Sequence, residues 1–222
     1  MQADASLLLA VNGLHNAFFD GFMQLCSDKW VWVPFYASIL YVLLRRYPPR
    51  TAVTALLFIV LTIVMCDQLT AHVLRPQFAR LRPSNLDNPL SQWVHVVDGY
   101  RGGPYSFPSS HAANTAGLAF FCACWFRQRW LSWLLAVWTL LVCYSRMYLG
   151  VHYPGDLLVG ILVGMLCAWV AYWCLRRLCR WERLGLEPEP TGRSVQVVHD
   201  VVPTVMLLLT LAAFAVLSAG KL

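Results

Sequence analysis

Long apolar runs dominate the chain, and short polar or basic breaks divide them. A hydrocarbon layer of ~30 Å takes ~20 helical residues to cross, and by that measure the pattern predicts six spans. They fall at about residues 30–44, 51–73, 110–126, 131–149, 156–175 and 203–219. The first is short for a bilayer, which places Trp30 and Trp32 in one interface. Arg45 and Arg46 end it, Pro48, Pro49 and Arg50 make a tight connection, and the far end of the second span gathers Asp67, Gln68 and His72. Ahead of the spans, residues 5–26 mix Leu7, Leu8, Leu9, Phe18, Phe19 and Phe22 with Asn12, His15, Asn16 and Asp20. That mixture predicts an amphipathic helix lying in the interface or tucked against the bundle, with Gly13 or Gly21 as its bend. The expected fold is therefore all-α: a polytopic membrane helical bundle of about six transmembrane helices plus an N-terminal amphipathic interfacial helix. It is expected to be one membrane-embedded domain over residues 1–222, with 1–28 the amphipathic segment and 74–109 an extracytoplasmic loop. No internal repeat or second soluble domain is visible.

Composition fits that class, with 59% hydrophobic and 13% charged residues. The excess of 17 Lys and Arg over 11 Asp and Glu does not point to nucleic acid, because in a membrane chain the placement of cations matters more than their sum. The eight cysteines fall mostly inside apolar runs, behave as small hydrophobes and form no disulfide framework. Cys122 and Cys124 are two apart and point away from each other on a helix, which argues against a metal site. Residues 1–28 lack the basic leader of a cleavable signal peptide. The clusters Arg45/Arg46/Arg50, Arg127/Arg129 and Arg176/Arg177/Arg180/Arg183 fall on one face of the alternating spans, which the positive-inside rule makes cytoplasmic. Both termini then come out on the other side. Arg75, Arg80, Arg82, Arg101 and Arg146 share that other side against the rule, and anion binding accounts for them.

The stretch from Ser145 to Asp156 is a polar island between two apolar runs, carrying Arg146, His152 and Asp156. Charges beside hydrocarbon are costly, so such a cluster marks a site. His152 and Asp156 are four apart, a spacing at which the carboxylate holds one ring nitrogen while the other faces outward. Ser109 and Ser110 precede an apolar run and read as a helix N-cap, whose free N–H groups and dipole attract an anion. His111, one turn inside, is placed to donate a proton to a leaving oxygen. Arg75, Arg82 and Arg146 offer planar forks suited to phosphate oxygens. Arg80 is a weaker candidate for the same task. Asp67, two turns before Arg75, is expected to support Arg75 or Arg82.

These residues resemble the type 2 phosphatidic acid phosphatase superfamily. The match lies in Arg75, six residues, then Arg82-Pro83; Pro108-Ser109-Ser110-His111; and Ser145-Arg146, five residues, His152, three residues, Asp156. The resemblance implies that His152 forms a phosphohistidine, Asp156 orients it and His111 protonates the leaving group. It further implies phosphate binding by Arg75, Arg82, Arg146 and Ser109, with Ser110 beside them, and neither metal nor cofactor. The family usually has lysine at position 75 and glycine at 110, so a slightly remodelled site is expected. The implied partner is a lipid phosphate in the membrane, with undecaprenyl diphosphate favoured over phosphatidylglycerophosphate, phosphatidate or lipid A phosphates. Lipid-to-lipid phosphotransfer is the second reading, and a non-catalytic anionic-lipid binder or transporter the third. Retention of both histidines and Asp156 argues against the third, since binding needs only the arginines. The sequence is silent on oligomeric state.

Overall fold

The computed structural model describes residues 2–179 and 196–220, with side chains described from residue 3 and, in the last helix, from 201. The chain forms α1 (Gln2–Asn12), α2 (Ala17–Ser27), α3 (Val33–Arg46), α4 (Pro49–Asp67), a π-helical turn (Gln68–Leu74), α5 (Arg75–Phe78), α6 (Ser110–Phe126), α7 (Arg129–Tyr148), α8 (Pro154–Cys179) and α9 (Gln196–Ala219). Among the described residues there is no strand, only an isolated bridge between Leu81 and Tyr105. The fold is an all-helical membrane bundle. Four helical stretches are long and apolar enough to span a bilayer: Pro49–Phe78, Arg129–Tyr148, Pro154–Cys179 and Val201–Ala219. The expected first and third spans are the shorter helices α3 and α6, of 14 and 17 residues. Large apolar side chains such as Leu57, Leu140, Leu162 and Leu209 are exposed on outward faces. That arrangement suits lipid rather than water as the solvent, and the protein is a multi-pass membrane protein. The basic stretch with Arg180 and Arg183 and the Glu187 to Pro190 segment lie outside the described residues.

Two boundaries differ from the sequence pattern. The amphipathic segment is two helices, broken where Gly13 and Leu14 turn the chain and restarted by the Asn16 side chain, which accepts a hydrogen bond from the Phe19 N–H. Both helices pack on the bundle: Asn12 donates to the Tyr148 carbonyl at 2.6 Å, and Asp20 accepts from the Tyr148 hydroxyl at 2.7 Å. The extramembrane loop starts at Ala79 rather than 74, because helical structure runs on from α4 through the π turn to Phe78. Pro76 sits in the first turn after that π segment, where its missing N–H costs least. Ala79, at φ 45°, then stops the helix.

Close packing of α6 on α8 positions the polar end of the bundle. Gly160 and Gly164 allow it, since a Cβ there would lie 2.5 Å from the Ser109 carbonyl and 2.2 Å from the Ala113 carbonyl respectively. Small residues spaced four apart let membrane helices approach backbone to backbone. Below the site the core is aromatic and aliphatic, with Trp32, Phe35, Trp138 and Phe214 packed together. At the opposite end Arg46 donates to the Gln128 side chain at 2.9 Å, tying the α3–α4 and α6–α7 turns together.

Candidate active site

His152 lies in the short loop between α7 and α8, 1% exposed, and Asp156 lies in the first turn of α8, fully buried. Arg82 reaches His152 Nε2 at 3.0 Å with a nitrogen that also donates to the Val151 carbonyl at 2.9 Å. A guanidinium only donates, so Nε2 is the acceptor and carries the lone pair. The ring proton of the neutral imidazole is then on Nδ1, which faces Asp156 Oδ2 at 3.6 Å. That separation exceeds a formed hydrogen bond. Burial, then Arg82, Arg146 and Arg75, hold the His152 pKa well below its usual value. The result is a neutral imidazole whose Nε2 lone pair faces the Arg82 guanidinium.

The three arginines converge on this ring. Arg82 is buried, and its pKa is pulled down to about 10 by burial and by the charges of Arg146 and Arg75. Arg146, also buried, donates to the Ser27 hydroxyl and, at 3.3 Å, to the Tyr100 hydroxyl. Half-buried Arg75 donates to the Ser110 hydroxyl at 2.7 Å and the Pro108 carbonyl at 3.2 Å. Each of the three also keeps a buried Nε without a hydrogen-bond partner. Among the described residues none of them is ion-paired. Arg80 is the contrast, because it pairs with Asp156 at 2.8 Å and with Asp4 at 2.6 Å. Its fork is thus taken up by carboxylates, where those of the other three are not.

At the start of α6, Ser109 is fully buried and caps the helix through the Ala112 N–H at 3.4 Å, while its own N–H donates to the Asp156 carbonyl at 3.0 Å. Its visible work is to fasten α6 to the start of α8. Ser110 shares its hydroxyl between Arg75 and the Thr70 hydroxyl, the latter at 2.8 Å. The two departures from the family pattern, Arg75 and Ser110, thus touch each other. His111 is half-buried, within electrostatic reach of Arg146, His152 and Arg82. It lines a cavity of about 630 Å³ with Ser110, Asp67 and the apolar side chains of Leu40, Ile59 and Leu118. Asp67 is on that wall too, and among the described residues it makes no ion pair with Arg75 or Arg82. Its charge still reaches Arg75 electrostatically across the π turn that lies between them.

Sequence reasoning missed Asp4, Ser27 and Tyr100, and with Asp4 the pairing that ties Arg80 to Asp156. None carries a local signal, since each is a lone polar residue in an amphipathic or loop segment that tertiary packing brings in.

The PAP2 superfamily profile matches residues 52–180 of the chain. The chain is 43% identical over 215 residues to the lipid A 4'-phosphatase of Bacteroides thetaiotaomicron, covering 97% of this chain and 95% of that protein. It is 28% identical over 175 residues to an undecaprenyl-diphosphatase of Sulfolobus acidocaldarius, covering 76% and 75%. Its fold is similar to the crystal structure of a transmembrane PAP2-type phosphatidylglycerolphosphate phosphatase from Bacillus subtilis, with a TM-score of 0.55 at 22% identity over 81% of this chain and 88% of that one. The chain belongs to the PAP2 superfamily.

Proposed function

We propose that the protein is a membrane phosphatase that removes phosphate from lipid A, through a phosphohistidine on His152. The observation that carries the phosphatase reading is the set of Arg75, Arg82 and Arg146, without carboxylate partners, around one neutral imidazole. Cations buried without a counter-charge are costly, and a phosphoryl group supplies that charge with oxygens that fit their forks. The apolar cavity reaching His111 gives a lipid tail a place beside the reacting phosphate.

In the first step His152 Nε2 attacks phosphorus as the bond from phosphorus to the lipid oxygen breaks. Arg75, Arg82 and Arg146 take the charge growing on the three equatorial oxygens. His111, protonated to the imidazolium once the bound phosphoryl charge offsets Arg146 and Arg82, gives its proton to the departing oxygen, and Asp156 holds the Nδ1 proton of the imidazolium that forms on His152. In the second step His111 takes a proton from water, which attacks phosphorus and frees inorganic phosphate and neutral His152. The site faces the extracytoplasmic side in this reading, since the opposite end holds the exposed Arg45, Arg50 and Arg129.

Lipid A replaces the undecaprenyl diphosphate favoured by motif resemblance alone. The support is likeness along nearly the whole chain to a lipid A 4'-phosphatase, against weaker and shorter likeness to an undecaprenyl-diphosphatase. Phosphate release by the purified protein from lipid A, undecaprenyl diphosphate, phosphatidylglycerophosphate and phosphatidate tests this. The expected result is fastest release from the 4'-phosphate of lipid A, and faster release from undecaprenyl diphosphate would overturn the assignment.

A further inference from the structure

A fully buried carboxylate must have its charge matched and its lone pairs directed. For Asp156 the two oxygens are treated differently. Oδ2 accepts the Tyr153 N–H at 2.9 Å and faces Nδ1 of His152, while Oδ1 accepts from Arg80 at 2.8 Å. The Arg80 guanidinium carbon sits over the Tyr153 ring, 3.7 Å from its centroid, and the other terminal nitrogen donates to Asp4 at 2.6 Å. The second oxygen of Asp4 accepts the Gly155 N–H at 2.8 Å, at the first turn of α8. One guanidinium fork thus joins a carboxylate from α1 to the carboxylate behind the reacting histidine. Side-chain exposure falls along the line, from 21% at Asp4 and 26% at Arg80 to 0% at Asp156 and 1% at His152.

We propose that Arg80 and Asp4 are positioning residues of the reaction: the chain Asp4, Arg80, Asp156, His152 fixes the imidazole, and through it helix α1 is part of the active site. This rests on the phosphatase reading above. With Arg80 on Oδ1 and the Tyr153 N–H on Oδ2, the carboxylate plane cannot turn, and Oδ2 stays opposite Nδ1. Without Arg80 the buried carboxylate loses its only ion-paired cation among the described residues, and either rotates or takes up a proton. In both cases the Nδ1 side of His152 loses the carboxylate that orients the ring. Asp4 holds the far side of the fork and the start of α8 together. Both terminal nitrogens of Arg80 are already engaged with carboxylates, so its loss strikes turnover rather than phosphate affinity.

The test uses the full-length protein in detergent micelles with bis-phosphorylated lipid A as substrate, comparing Arg80→Gln, Arg80→Lys and Asp4→Asn with wild type. Loss of a partner that orients a reacting group costs about 10- to 100-fold, so Arg80→Gln should lower kcat within that range with KM changed by less than about threefold. Asp4→Asn should cost about fivefold, and Arg80→Lys should recover part of the glutamine variant's loss by restoring the charge beside Asp156. Unchanged kcat in folded Arg80→Gln and Asp4→Asn, a loss confined to KM, or no recovery with lysine would overturn the proposal. If Arg80→Gln fails to fold, Asp4→Asn decides alone. Orthovanadate, which takes the attacking imidazole nitrogen as a fifth ligand in the shape of the transition state and so reports ring placement rather than phosphate affinity, separates the two readings through the rise it causes in the unfolding temperature. Should wild type leave lipid A intact yet be stabilised by vanadate, the lipid assignment falls. A smaller vanadate shift in Arg80→Gln and Asp4→Asn then supports the positioning role, and an equal shift rejects it. Absence of any vanadate shift in wild type rejects both.

Discussion

The two polar ends of the bundle are both rich in arginine, yet they use it in opposite ways. At the turn end, Arg45, Arg50, Arg127 and Arg129 are exposed, and buried Arg46 is hydrogen-bonded to Gln128. At the other end Arg82 and Arg146 are buried, Arg75 half-buried, and their donors go to carbonyls, hydroxyls and an imidazole. Charge count does not separate these ends; the gathering of three arginines, none ion-paired among the described residues, around one imidazole does. The exposed set needs only water and headgroups, and it orients the chain in the membrane. The buried set is stable in company with an anion, and a neutral imidazole stands where that anion would be attacked.

Substitutions at matched cations break this comparison most sharply. Arg82→Gln removes a donor at the developing phosphoryl charge and should lower kcat/KM by about 100- to 1,000-fold. Arg129→Gln, at the exposed end, should stay within about twofold. Steady-state phosphate release on folded protein measures both, and equal effects would erase the distinction. Next in size is Gly164→Leu, whose Cβ would meet the Ala113 carbonyl at 2.2 Å. Forcing α6 from α8 should cost about 1–3 kcal/mol of stability and shift Ser109 from Asp156, lowering activity in step. Thermal unfolding together with activity below the unfolding range checks this, and a stable, fully active variant would refute it.

A smaller effect sharpens the picture of Arg75. Arg75→Lys and Ser110→Gly restore the usual family residues one at a time, and each alone strands a partner of the contact at 2.7 Å. Each single change should raise KM by about three- to tenfold, with the double variant better than the product of the two. Simple additivity would show that the pair is not coupled. The smallest effect concerns pH. The His152 pKa is held below the ordinary 6.5, so the neutral nucleophile persists as pH falls through that value, and His152 should add no acid limb to kcat/KM there. An acid limb centred at or above pH 6.5 would contradict the electrostatics described for the loop.

Much of this was legible in the chain. The helical spans follow from apolar runs, because hydrocarbon imposes one simple rule on sequence. His152, Asp156 and Arg146 stood out for the same reason: polar residues are conspicuous in apolar surroundings. The π turn at Gln68–Leu74 was not legible, since an extra residue per turn leaves no mark on composition. It lies between Asp67 and Arg75, whose charges still interact across it. Asp4 was also invisible, because a single carboxylate in an amphipathic segment looks like any solvated face. Its meaning appears only when α1 folds back on Arg80 and Gly155, about 75 and 150 positions away.

The central claim is that His152 carries the phosphoryl group between lipid and water. Its most direct test is acid-labile phosphate trapped by rapid quench during lipid A turnover and assigned to a residue by peptide mass spectrometry. Because the charge on the phosphoryl oxygens is met by Arg75, Arg82 and Arg146, the experiment is run in EDTA. The account predicts phosphate on His152 in wild type, formed and discharged at the rate of turnover, and none in His152→Ala. Phosphate on another residue, or trapped phosphate persisting in His152→Ala, would contradict it.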